Sequence, residues 1–419
     1  MDYLEQRRKL RQMVQERLDY GRDYTDEEVE DTIDEVLMEQ ENLELCSVEL
    51  RRRLRKELFD SLRRLDILQI FVDDSSVTEI MINGLDHIFV ERDGQLQELD
   101  RAFDSMEKLQ DVIQQIVAGC NRVVNEASPI VDARLSNGAR VNIVMSPIAL
   151  NGPIITIRRF PDKPITMQKL IAMETISPEA ADFLKTLVKA GYNIFVSGGT
   201  GSGKTTFLNV LSGFIPPEQR IITIEDSAEL QLQGIPNLVR LETRNGNAEG
   251  CREIGIRELI RSSLRMRPDR IIVGEVRGAE AIDMLQCMNT GHDGSMSTGH
   301  ANSAADMLSR LETMALFASD IPIQAIRKQI ASSIDIIVQL ERLRDRSRRV
   351  TAIAEVLDCT EDAYILNPIF EFHEQDNLVM ESNSYGDIPE RVVGQLERTG
   401  YHLMHRRKLH AAALESAEI

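Results

Sequence analysis

The 419-residue chain contains no tryptophan, and aromatic residues make up only 5% of it. It has no run approaching the ~18 consecutive apolar residues that a membrane-spanning helix requires. Its first residues, MDYLEQRRKLRQ, are charged from the second position onward, which is not the pattern of a secretory signal. The sequence therefore predicts a cytoplasmic protein that contacts membranes only through partners.

Cysteine is also scarce. The chain has five, widely scattered and without a C-x-x-C pair: Cys46, Cys120, Cys251, Cys287 and Cys359. An odd, dispersed set argues against a disulfide framework or a structural zinc. His292 and His300 lie close to Cys287 in the sequence, but their spacing matches no metal-ligand pattern.

Basic residues are outnumbered by acidic ones, 49 to 68, which gives a formal net charge of −19 at pH 7. That balance opposes non-specific binding to the phosphates of a nucleic acid. The shortage of aromatic side chains also argues against base-stacking along a single strand. Nucleic acid is therefore not an expected partner.

The amino-terminal part of the chain has two sequence patterns. Residues 1–65 predict helices, with a capping box at Thr25 and Glu28 and a later leucine stripe at helical spacing. The basic face beside that stripe has two interpretations: a surface that binds a membrane or a partner, or an ordinary solvated face. Residues 66–160 alternate short strands with Asn-Gly and Asp-Gly turns, which predicts an α+β domain.

The carboxyl-terminal part is predicted to be separated from the rest by a proline-containing linker at residues 161–176. Residues 177–419 then alternate short apolar runs with helical segments, which is the pattern of a mostly parallel sheet with helices on its faces. Ligands of such sheets bind at the carboxyl ends of the strands. The residues that directly follow each strand are therefore the candidates for function.

GGTGSGKTT is the most specific motif, because it fits G-x-x-x-x-G-K-[ST] and lies between a predicted strand and a predicted helix. Glycines allow backbone N–H groups to close around a diphosphate. We expect Lys204 to reach the β- and γ-phosphates and the Thr205 hydroxyl to bind Mg²⁺. The predicted nucleotide-binding residues here are Gly198, Gly199, Thr200, Gly201, Ser202, Gly203, Lys204, Thr205 and Thr206.

Acidic residues follow two further predicted strands. Glu225 and Asp226 follow one apolar run, and Glu275 follows another. Hydrolysis of a phosphate needs a group that polarises water and a carboxylate that organises Mg²⁺. We expect Glu275 to polarise the attacking water and also to bind Mg²⁺, partly through water. Glu225 is the second catalytic acid. The structural alternative is an acid at a helix N-terminus, where it is stabilising.

Three further side chains have both a catalytic and a structural interpretation. His300 follows a small-residue strand and could approach the γ-phosphate, although a lone histidine is usually structural. Arg134 and Arg140 flank the Asn137-Gly138 turn, where they are either surface charge or phosphate ligands. From the residues alone both interpretations remain open.

Four boxes in order, GGTGSGKTT, IEDSAEL, RPDRIIVGEVRG and STGHANS, resemble the signature boxes of the type II/type IV secretion ATPase superfamily. Longer runs such as SVTEIMINGLDHIFVERDG and TGHDGSMSTGHANSAADMLSRLETM are similar to the branch that assembles tight-adherence (Flp-type) pili. The resemblance covers roughly residues 67–373.

The resemblance implies an α/β fold in which a RecA-like phosphate-loop ATPase domain follows an α+β, PAS-like domain and a helical amino-terminal region. It implies a homo-hexameric motor that uses ATP and Mg²⁺ to power pilus assembly or secretion. Its implied partners are platform proteins of the inner membrane, which would hold a cytoplasmic protein at the membrane periphery. A RecA-like nucleic-acid translocase and a scaffold that binds nucleotide without turnover are the alternatives.

The resemblance also assigns residues. Glu225 and Asp226 match the acidic box, Glu275 the Walker B acid and His300 the histidine box. The resemblance implies that the catalytic set includes Arg134 and Arg140, which would approach the phosphates. It further implies that Arg240 and Arg244, in LVRLETR, serve the nucleotide or a neighbouring subunit. Gly274 stands where many phosphate-loop ATPases have aspartate, which leaves open which acid organises Mg²⁺.

Overall fold

A computed structural model describes residues 3–18, 21–39, 48–92, 94–120, 122–159, 164–244, 252–318, 321–375 and 391–414. The chain divides into two compact units, Met1–Asp162 and Lys163–Ile419. The predicted turn residue Asp93, linker residues 161–163, Cys46 and Cys251 lie outside the described residues. None of the described helices is long and apolar enough to cross a membrane.

The first unit begins with three helices: α1 (Tyr3–Arg17), α2 (Asp26–Met38) and α3 (Val48–Arg63). They enclose a small aliphatic core, and Thr25 and Glu28 form the predicted capping box at the start of α2. Basic residues of α3 form ion pairs with acidic residues of α2: Arg55 lies 2.7 Å from Asp34, and Arg63 lies 2.9 Å from Asp26. These ion pairs favour the interpretation of α3 as an ordinary solvated helix.

A six-stranded antiparallel sheet follows, in the order β3-β2-β1-β6-β5-β4. Its elements are α4 (Gln69–Asp73), β1 (Val77–Asn83), β2 (His87–Arg92), β3 (Gln95–Leu99), α5 (Met106–Gly119), β4 (Ile130–Arg134), β5 (Arg140–Val144) and β6 (Ile154–Arg158). One apolar core joins alternate strand residues to the buried face of α5. Arg134 and Arg140 pair across the β4–β5 hairpin, whose turn contains the predicted Asn137-Gly138 dipeptide.

The second unit is an α/β fold built on a nine-stranded sheet. Its elements are α6 (Met167–Ala172), α7 (Pro178–Ala190), β7 (Ile194–Gly198), α8 (Lys204–Ser212), β8 (Ile221–Glu225), β9 (Leu238–Glu242), α9 (Ile256–Ser263), β10 (Arg270–Val273), α10 (Glu280–Asn289), β11 (Met296–Gly299), α11 (Ala304–Leu316), α12 (Ile323–Ser333), β12 (Ile336–Arg342), β13 (Arg348–Cys359), β14 (Tyr364–Glu374), β15 (Gly394–Arg398) and α13 (Arg407–Ala411). Helix α6 lies within the segment predicted as a linker. It forms there because the Thr166 hydroxyl caps it and both Met167 and Leu170 are buried.

The strand order is β15-β14-β13-β12-β7-β11-β10-β8-β9. The six strands from β12 to β9 are parallel, whereas β13, β14 and β15 extend the sheet in antiparallel fashion. Successive residues of a strand face opposite sides, so Ile194 and Val196 enter one core while Phe195 enters the other. The carboxyl ends of β7, β11, β10 and β8 are consequently neighbours.

Asn193 fixes the amino end of β7. Its side chain is 2% exposed, its oxygen accepts from the backbone of Gly294 and Ser295 at 2.9 and 3.1 Å, and its nitrogen donates to Met288 and Ser333 carbonyls at 3.3 and 2.7 Å. One buried amide thereby joins the phosphate-loop strand to β11, α10 and α12.

We expect Asn193→Ala to lower the free energy of unfolding by about 3 kcal/mol, because several buried polar groups lose their partner at ~1 kcal/mol each. Urea unfolding of the full chain, followed by circular dichroism, measures this. Asn289→Ala, which alters an exposed asparagine that bonds α12, is the matched control. Equal stability of the two variants would contradict the role of Asn193.

Candidate functional site

Four neighbouring strand ends bring the predicted residues of the second unit to one edge of the sheet. Strand β7 runs into the loop at 198–203, and β11 is followed by His300. Strand β10 is followed by Gly274 and Glu275, and β8 ends at Glu225. Because these strands are adjacent and parallel, the loop, the histidine and both glutamates meet.

The loop requires glycine for two different reasons. A Cβ on Gly198 would lie 2.3 Å from the Leu340 carbonyl oxygen of β12, so the backbones approach too closely for any side chain. Gly203 has φ +94° and immediately precedes helix α8, a conformation that other residues rarely adopt. The Ser202 hydroxyl closes the loop by donating to Gly199 O at 2.9 Å. This turn before a helix N-terminus is suited to binding an anion.

Lys204 is the first residue of helix α8, directly after this loop, and is only 7% exposed. Its Nζ donates to the carbonyl oxygens of Gly198 and Gly199, at 3.0 and 2.8 Å. It also lies 3.2 Å from His300 Nδ1. Burial lowers the pKa of Lys204 to about 8, although the nearby Glu275 charge opposes the shift. The ammonium group is therefore held by weakly basic partners that an anion could replace.

His300 bridges Lys204 and Glu275. Its Nε2 lies 2.8 Å from Glu275 Oε1, but the two are not aligned as a hydrogen bond, and Oε1 is buried without a hydrogen-bond partner among the described residues. Burial lowers the pKa of His300, and the nearby charge of Lys204 lowers it further. A neutral imidazole that accepts from Lys204 at Nδ1 carries its own proton on Nε2, next to the glutamate.

Glu275 is held on its other side by Arg277, which the sequence reasoning had not selected. Arg277 Nη2 donates to Glu275 Oε2 at 2.7 Å, and Arg277 Nη1 lies 4.0 Å from Asp226. The pairing with Glu275 raises the pKa of Arg277 further. The sequence signal for this residue was an arginine two positions after Glu275, in the segment GEVRG.

Glu225 is almost fully buried, with 3% of its surface exposed. Its Oε1 accepts from the backbone N–H groups of Glu229 and Leu230 at 2.9 and 2.8 Å, whereas Oε2 is buried and has no hydrogen-bond partner among the described residues. Burial raises the pKa of Glu225 to about 7, against the opposing effect of these backbone bonds. The group can therefore exchange a proton near neutral pH.

Gly274 explains the departure from the usual Walker B pattern. A Cβ at this position would lie 2.9 Å from Glu225 Cγ, so the side chain of Glu225 occupies the space that an aspartate at 274 would need. Residue 274 therefore supplies no carboxylate, and Glu225 and Glu275 lie on either side of it at this edge.

Comparison with known proteins identifies the family. Residues 62–381 match the family model described as Type II/IV secretion system protein. The chain belongs to this family. The conjugal transfer protein TrbB of Rhizobium radiobacter is 33% identical over 307 residues, which cover 73% of this chain and 90% of that protein. The type IV secretion system protein PtlH of Bordetella pertussis is 33% identical over 310 residues, covering 68% and 91% respectively.

The fold is also similar to that of a solved structure. The Yersinia pseudotuberculosis ATPase DotB superposes with a TM-score of 0.51 at 19% identity, covering 71% of this chain and 79% of that one. This likeness supports the α/β fold, and the family match confirms the superfamily that the four boxes predicted. The assignment to the tight-adherence branch stays a prediction.

The remaining predicted arginines of this family member lie on or just after β9, the strand that pairs with β8, or in the first unit. On β9, Arg240 donates to Leu230 O at 2.9 Å, and after that strand Arg244 donates to Arg252 O at 3.1 Å. In the first unit, Arg134 Nε donates to Gly138 O at 3.1 Å and Arg140 Nη2 lies 3.9 Å from Asp132. Their assignment to the nucleotide remains a prediction.

The raised pKa of Glu225 predicts a pH-dependent stability. The folded chain keeps this carboxyl protonated up to about pH 7, whereas the ordinary value is 4.5. The folded state therefore binds more protons between these values, and stability falls as pH rises through that window and stays lower above it. The shift corresponds to about 3 kcal/mol.

Glu225→Gln is uncharged at every pH, so its stability relative to wild type should rise by about 3 kcal/mol between pH 4.5 and pH 8. Urea unfolding at both pH values measures the change. Glu218→Gln, at an exposed glutamate, should show none. Parallel pH profiles for wild type and Glu225→Gln would contradict the burial of an ionisable acid at the site.

Proposed function

We propose that this secretion-family protein is a Mg²⁺-dependent ATPase that hydrolyses ATP to ADP and phosphate and powers pilus assembly or secretion. The supporting observation is the convergence of the phosphate loop, His300, Glu275 and Glu225 at four adjacent strand ends. A phosphate chain, a cation and an attacking water each need a different one of these groups.

The phosphate chain fits the loop at 198–206. In this structure the Lys204 ammonium group donates hydrogen bonds to the Gly198 and Gly199 carbonyls. With nucleotide bound it would donate to phosphate oxygens instead, which are stronger acceptors because they are charged. The first N–H groups of α8 lie at the positive end of the helix dipole. The loop thereby binds the β- and γ-phosphates, and Lys204 neutralises part of their charge.

The carboxylates fit a magnesium–nucleotide complex. Glu225 Oε2 and Glu275 Oε1 are buried oxygens without a hydrogen-bond partner among the described residues, and such groups are stabilised by a cation or by its bound waters. When bound, Mg²⁺ supplies positive charge that stabilises the transferring phosphate. Thr205, in the first turn of α8, would hold it through the hydroxyl, and Glu275 would do so partly through water.

Glu275 is the group that accepts a proton from the attacking water. Arg277 orients its carboxylate by donating to Oε2 at 2.7 Å, and the His300 ring lies 2.8 Å from Oε1. His300 also contacts Lys204, so the histidine links the residue that binds phosphate to the residue that activates water. Arrival of the γ-phosphate at Lys204 would consequently change the surroundings of Glu275.

The remaining features of the proposal follow from the family. The active form is a homo-hexamer of chains with a PAS-like amino-terminal domain and a RecA-like domain, docked on inner-membrane platform proteins at the cytoplasmic face. Arg134 and Arg140 stabilise the transferring phosphate, and Arg240 and Arg244 serve the nucleotide or the neighbouring subunit. The β4–β5 pairing supports this, because Arg134 and Arg140 are directly opposite each other and such residues project to the same face of a sheet.

We expect Glu275→Gln to bind ATP but to hydrolyse it at least ~10²-fold more slowly, because a positioned base contributes that much to the rate. Lys204→Ala should abolish turnover through loss of phosphate binding. Phosphate release and nucleotide titration calorimetry measure the two effects, with Glu218→Gln as control. Turnover by Lys204→Ala within twofold of wild type would overturn the proposed ATPase site.

Arg134→Ala and Arg140→Ala should each lower the maximal ATPase rate at least tenfold while nucleotide affinity falls by less. A guanidinium that acts on the transferring phosphate affects the transition state more than the bound ground state. Steady-state kinetics at saturating ATP test this, with Arg52→Ala, at an exposed site on α3, as control. Normal maximal rates in both variants would identify these arginines as surface charge.

A further inference from the structure

The β12–β13 hairpin lies directly against the phosphate loop. Strand β12 pairs with β7 in a register that sets Leu340 opposite Gly198. The Leu340 carbonyl oxygen fills the place where a side chain of Gly198 would lie. Strand β12 continues to Arg342, two residues beyond this contact. The tip of the hairpin therefore lies beside the phosphate loop, at the edge of the sheet where β7 ends.

The tip carries Arg348 onto the loop. A tight turn closes with the Leu343 N–H donating to Ser347 O at 2.8 Å. Arg348 Nε then donates to the Gly201 carbonyl oxygen at 3.0 Å. Its Cδ lies 3.5 Å from the position of a Cβ on Gly203. The arginine thus crosses the segment 201–203, while its guanidinium remains exposed.

Neighbouring residues hold the tip in place. Arg349 is 3% exposed and its Nη2 donates to Glu174 Oε2 at 2.9 Å. Asp345 accepts from the backbone of Val392 at 2.8 Å. Because successive strand residues point to opposite sides, the anchoring of Arg349 directs Arg348 to the side of the loop. The pairing of the hairpin therefore sets the side from which Arg348 reaches the loop.

The contact with Gly201 has a direct consequence for anion binding. In a phosphate loop the N–H groups converge on the anion, and a cation on a carbonyl of the same loop stabilises that arrangement by a charge-assisted hydrogen bond. The fixed positive charge also adds to the potential that attracts a phosphate chain. Both effects act on binding rather than on bond cleavage.

We propose that Arg348 is a positioning residue of the nucleotide site, which holds the phosphate loop through Gly201 and favours nucleotides that carry a β-phosphate. This role rests on the proposed ATPase function. It predicts that Arg348 sets the affinity for ADP and ATP, whereas the affinity for AMP and the maximal rate of hydrolysis do not depend on it.

The test compares the full-length chain with Arg348→Ala, Arg348→Lys and Arg344→Ala in Mg²⁺-containing buffer. Arg344 is an exposed arginine of the same turn that pairs with Glu374, which makes it the matched control. Titration calorimetry gives the Kd for ADP and AMP, and steady-state kinetics give KM and kcat for ATP. Thermal unfolding establishes that each variant is folded.

Arg348→Ala should raise the Kd for ADP and the KM for ATP about tenfold, the size of one charge-assisted bond, with kcat within about twofold of wild type. Arg348→Lys, which keeps the charge, should recover part of the affinity, and Arg344→Ala should match wild type. ADP binding by Arg348→Ala equal to that of Arg344→Ala overturns this role alone. A wild-type chain that binds neither ADP nor ATP overturns the ATPase assignment together with it.

Discussion

The buried ammonium group of Lys204 is the interaction on which the site depends. A cation that is 7% exposed is stable only if acceptors surround it, and here these are two loop carbonyls and an imidazole. Each acceptor belongs to the end of a sheet strand, so the lysine joins β7 to β11 at their carboxyl ends. Through His300 the same interaction reaches Glu275, two residues after β10.

The strand order makes this arrangement possible. Parallel strands end at one edge of the sheet, and the neighbours β7, β11, β10 and β8 deliver one functional segment each. Close backbone approaches then restrict the residues between them: Gly198 faces the Leu340 carbonyl, and Gly274 leaves room for Glu225. Glycine at these two positions is required by packing, and the chemistry of the site follows from that packing.

The sequence was sufficient for the parts of the fold whose signal is local. Short apolar runs predicted β8 and β10, and a capping box predicted the start of α2. The motif GGTGSGKTT predicted Lys204, and the positions that follow strands predicted Glu275 and Glu225. The antiparallel strands β13 to β15 were missed because strands were predicted from their alternation with helices, and no described helix separates these strands. Contacts between distant segments carry no local signal, which is why Arg348 on Gly201 could not be predicted.

The central claim is that the loop at 198–206 binds a nucleoside triphosphate through Lys204, next to Glu275. The most direct measurement is an experimental structure of the full chain with Mg²⁺ and a non-hydrolysable ATP analogue. The account predicts the triphosphate in the loop, with Lys204 Nζ bonded to phosphate oxygens in place of the Gly198 and Gly199 carbonyls and with Glu275 facing the terminal phosphate. An analogue bound elsewhere, or a Lys204 still bonded to its own loop, would contradict it.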